Sequence, residues 1–181
     1  MYGSICKNKT MNYKEKYTPE EGTIVSYLPL AITQLMGGAG SKGKIASTSE
    51  MASGLQMISN GLKRYSKNEL INAIAPDKED FTNHANTIKS YLDVLIIFWE
   101  QNDIETTEDF LKMTLDHCDQ VAVILKNKEL DQVISEYKNW LLEIAFVVAN
   151  DSAEGSFFSF NREVFSKEER RIYDKLKTAL Q

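Results

Sequence analysis

Five times this chain places Ser or Thr three residues ahead of Glu or Asp, at the edge of an apolar repeat with helical spacing. The pairs are Thr18–Glu21, Ser47–Glu50, Ser66–Glu69, Thr106–Asp109 and Ser166–Glu169. In such a capping box the hydroxyl accepts from the backbone N–H three residues on, and the acid accepts from the cap's own N–H. Helix starts this frequent in 181 residues leave little chain for a sheet, and strand signals are nearly absent. The 3 Pro and 9 Gly lie mostly in connections or at helix ends, as an all-helical chain requires. The sequence therefore predicts an all-α, single-domain bundle of about six to seven helices over residues 18–181. Residues 1–17 read as a flexible N-terminal tail.

Apolar periodicity fills in the elements. Thr18 caps a first helix with Pro19 at its first position, and Ile24, Val25, Leu28, Ala31, Ile32 and Leu35 form its apolar set. Pro29 should kink it, and Gly37 and Gly38 should end it. A second helix carries Met51, Leu55, Ile58 and Leu62, with a possible break at Gly61. A short one over about 67–75 follows Ser66 and stops before Pro76. The stretch from Asp77 to Glu100 carries Phe81, Ala85, Ile88, Leu92, Leu95 and Trp99 on one stripe. Thr106 opens a helix with Phe110, Met113, His117, Val121 and Ile124 or Leu125 inward, and Asn127 and Lys128 break it. The helix over 129–148, with Leu130, Val133, Tyr137, Trp140, Ile144 and Val148 inward, is the most apolar and is expected at the centre. Residues 150–165 read as a loop, and Ser166 caps a last helix with Ile172, Leu176 and Leu180 on one face.

Charge is uneven along the chain. Residues 1–67 hold nine basic against four acidic side chains, and residues 68–181 hold twelve against twenty-two. The basic residues are scattered and no basic stretch interleaves with aromatics, which argues against nucleic acid as a partner. Two distant cysteines, Cys6 and Cys118, form no disulfide framework and point to a reducing, cytoplasmic setting. The N-terminus has no apolar signal segment, and the longest apolar runs fall far short of a membrane span, so no membrane partner is expected.

Three loops carry candidate chemistry. Gly38 to Lys44 fits the first seven places of a phosphate-binding loop, but Ile45 stands where a hydroxyl would hold Mg²⁺, and no strand precedes it. A milder anion site from Gly38, Gly40, Ser41, Lys42, Gly43 and Lys44 is the surviving expectation, set against a plain linker. Asn150, Ser152 and Glu154, with Gly155 next, mimic half of a calcium loop and are the candidate metal ligands, though Asn161 replaces the acid at the twelfth place. Phe157, Phe158 and Phe160 crowd one loop, either folded onto the core or exposed as an oligomer surface. His84 and His117 share no ligand set, and Cys118 has no well-placed base, so no catalytic residue is assigned and no cofactor is implied. Glu143 is the acid closest to the apolar centre; inside it would need a Lys or Tyr partner, and a wet stripe of Glu136, Asn139 and Glu143 is the plainer reading.

The Pro19-Glu20-Glu21 start, the segment Tyr137-Lys138-Asn139-Trp140-Leu141, the loop Gly155-Ser156-Phe157-Phe158-Ser159-Phe160 and the Ser166-capped last helix resemble a group of small, uncharacterised helical bacterial proteins. Ser156 and Ser159 stand where that group usually has Gly. The resemblance implies a helical fold and a bacterial origin, and brings no activity. A looser similarity to tellurite-resistance-type helical domains rests on Ala149-Asn150-Asp151 through Ser166–Glu169 and implies metal binding by an acidic loop. The expected function is a non-enzymatic helical interaction or scaffold protein that self-associates, as a dimer or with an unknown protein partner. The alternative is a protein binding a small anion at 37–48 or a divalent metal at 150–155.

Overall fold

Proline inside a helix removes one N–H and so strands the carbonyl four residues earlier. The first helix of this protein, α1, meets that problem at Pro29 and passes through it, spanning Pro19–Gly40. The stranded carbonyl is that of Val25, and the Tyr137 hydroxyl donates to it at 2.7 Å from another helix. A sequence-local defect is thus repaired by a tertiary bond.

The computed structural model describes residues 15–40, 48–75, 104–154 and 165–181. Six helices lie there: α1, α2 (Thr48–Arg64), α3 (Glu69–Ile74), α4 (Thr107–Lys128), α5 (Asp131–Glu154) and α6 (Lys167–Ala179). No strand occurs among the described residues. The expected Asp77–Glu100 helix and the Ser47 cap lie outside them. None of the described helices is long and apolar enough to cross a membrane.

As expected, α5 is central and packs against all five other described helices. Its inward line is Tyr137, Trp140, Leu141, Ile144, Ala145, Val148 and Ala149, all essentially inaccessible to solvent. Opposite stand Val25, Leu28, Ala31, Ile32 and Leu35 of α1, Met51, Leu55 and Ile58 of α2, and Ile172 and Leu176 of α6. Close approach of α2 needs two glycines. A Cβ at Gly54 would sit 2.2 Å from Thr33 Cγ2, and one at Gly61 would sit 2.5 Å from Trp140 Nε1.

Several boundaries differ from the sequence reading, each through packing. α1 does not stop at Gly37 and Gly38, both buried, but runs on to Gly40. The Asn127–Lys128 break falls later, at Glu129 and Leu130, and Leu130 is exposed rather than inward. α2 continues through Gly61 to Arg64. α3 is capped by Asn68, whose side chain accepts from the Ile71 N–H, and not by Ser66. On α4 the buried line runs through Phe110, Leu111, Thr114, Cys118, Val121 and Leu125, so Cys118 rather than His117 faces the core. The boxes at Thr18, Thr106 and Ser166 form in full.

Candidate interface at the corner between α4 and α5

The residues ahead of α1 are not a loose tail where they are described. Lys16 Nζ lies 2.7 Å from Glu129 Oε2, and the Tyr17 hydroxyl donates to Glu129 Oε1. Lys128 Nζ donates to the Lys16 carbonyl at 2.8 Å, pairs with Glu21 at 2.9 Å and lies 5.7 Å from the Tyr17 ring centre, within cation–π reach. Tyr17 is buried, and the Glu129 side chain is only 8% exposed. Sequence explains why this corner exists. Glu129 ends α4 by donating its N–H to the Leu125 carbonyl, and two residues later α5 begins. A carboxylate taken out of water needs donors on its oxygens, and two consecutive residues of the N-terminal segment supply them. Next to it, Leu130 is 76% exposed, and Val123, in the last two turns of α4, is 62% exposed.

A second polar group lines α5 where α2 and α3 cross it. Asn68 Nδ2 donates to the Val133 carbonyl at 3.1 Å and to Glu136 at 2.9 Å. Gln132 donates to Glu136 as well, and these bonds hold the Glu136 carboxyl below its ordinary range, the Gln132 bond most and the Asn68 bond next. Tyr65 donates to Glu143 Oε1 at 3.0 Å, and Arg64 pairs with the same oxygen at 2.8 Å. Burial, and then the Glu143 carboxylate, push the Tyr65 phenol up to about 12. The partners of Glu143 are thus a Tyr and an Arg, while Asn139 on the same stripe is exposed.

The sequence-derived sites lie only in part among the described residues. Gly38 and Gly40 belong to the last turn of α1, where N–H groups point back along the helix rather than outward to an anion. Ser41, Lys42, Gly43 and Lys44 lie outside the described residues. Asn150, Ser152 and Glu154 lie in the helical backbone of α5 and not in a loop, so the curved first half of a calcium loop does not form. Among the described residues no group of three His, Cys, Asp or Glu is placed to hold a metal. Phe157, Phe158 and Phe160 lie outside the described residues. At that end of α5, Phe165 stacks edge-on against Phe146 at 5.5 Å and lies against Tyr173 at 5.2 Å, with Arg170 over its ring at 5.1 Å.

Cys118 is buried, and burial pushes its thiol up to about 12, which removes the thiolate needed of a nucleophile. Its neighbour His117 is half-buried, and burial lowers its basicity. A cavity of about 20 Å³ lies between α1 and the start of α4, lined by Gln34, Leu35, Gly38, Thr106 and Phe110, room for a single water. The sequence reading missed the Lys16–Tyr17 seat altogether. Lys16, Tyr17 and Glu129 carry no spacing signal, because their bonds join residues 112 and 113 places apart.

No family model, no curated protein and no solved structure matches this chain.

Proposed function

We propose that this protein is a helical interaction protein of the cytoplasm that associates with a second copy of itself through the corner between α4 and α5. The observation that carries the reading is the exposure of Leu130 and Val123 at that corner. Leu130 follows a buried, fully engaged carboxylate, so the apolar side chain stands on a fixed backbone rather than on a loose end. Exposed apolar area beside ordered charge is what a pairing surface needs: burial supplies affinity and charge supplies register. The buried free thiol of Cys118 agrees with a reducing compartment.

The test is light scattering at tens of micromolar with the wild type and with Leu130→Asp. The dimer mass is expected for the wild type, and the monomer mass, with unchanged helical circular dichroism, for the variant. A monomeric wild type would sink the reading.

A further inference from the structure

We draw no further inference here: the strongest candidate, the aromatic surface patch where exposed Phe146 of α5 meets Phe165 ahead of α6, carries nothing because nothing in the structure shows what covers it.

Discussion

At the scale of single residues, Pro29 shows how far a local rule reaches. The sequence announces a proline in a helix, but not which group will answer the carbonyl it strands. That group, Tyr137, is 112 residues away and donates to Val25 at 2.7 Å. Tyr137→Phe should cost about 1–3 kcal/mol, because it leaves a buried acceptor without a donor. In a Pro29→Ala protein the restored N–H can serve Val25, so the same change should cost within about 0.5 kcal/mol. Equal costs in the two backgrounds, measured by urea unfolding, would refute the repair. Gly61 makes a second residue-scale case. Alanine normally improves a helix by about 1 kcal/mol over glycine, but here its Cβ would meet Trp140 Nε1 at 2.5 Å and Cε2 at 2.8 Å. The ring is buried and has no free side to move to, so the clash outweighs the propensity. Gly61→Ala should destabilise by about 1–3 kcal/mol, read as a lower urea midpoint at unchanged slope.

At the scale of elements, what the sequence made legible was the number and kind of helices and their core faces, and what it hid was where they stop. Helix starts are written in side chains that act within three residues, which is why the boxes at Thr18, Thr106 and Ser166 were readable. Helix ends depend on what the last turns pack against. Gly37 and Gly38 look like a stop, yet both are buried and helical, and Gly38 lines the small cavity that Thr106 and Phe110 also line. The same error of range placed Asn150, Ser152 and Glu154 in a loop where the structure has helix. The cap of α3 tests this distinction. Ser66–Glu69 has the right pattern, but Ser66 is exposed while Asn68 is buried and spends its side chain on Ile71, Val133 and Glu136. Ser66→Ala should stay within about 0.5 kcal/mol of the wild type, the usual range for a surface change. Asn68→Ala should cost about 2–3 kcal/mol, for a lost cap together with stranded buried groups. A larger effect at Ser66 than at Asn68 in thermal melts would reverse the assignment.

At the scale of the whole molecule, the charged and phenolic groups that tie helices together set how stability depends on pH. On the acid side, Glu108 is held low chiefly by its bond to Arg171, Glu168 by the same guanidinium, and Glu21 by Lys128. A carboxyl lowered in the fold binds fewer protons there than in the unfolded chain, where glutamate has its ordinary value of 4.5. Its contribution is complete above that value and is lost as pH falls through the lower, folded one. The Arg171 pairs are exposed and the Lys128–Glu21 pair is partly so, so each contributes modestly and the acid slope should shrink in molar salt. The alkaline side has a different origin. Tyr65 is raised from 10.0 to about 12 by burial and by Glu143, and Cys118 from 9.0 to about 12 by burial and then by Asp119. A group raised in the fold keeps its proton where the unfolded chain has lost it, so its contribution is complete below the unfolded value and declines as pH rises toward the folded one. The melting temperature should therefore hold level to about pH 9 and fall between pH 9 and 12, with weaker dependence on salt than the acid side because burial is the largest cause. Tyr65→Phe should lower the plateau, since Glu143 loses a donor, and flatten the decline above pH 10, since one of the titrating groups is gone. If the variant's curve merely runs parallel below that of the wild type, the crossing of α2 and α5 does not hold its phenol as described.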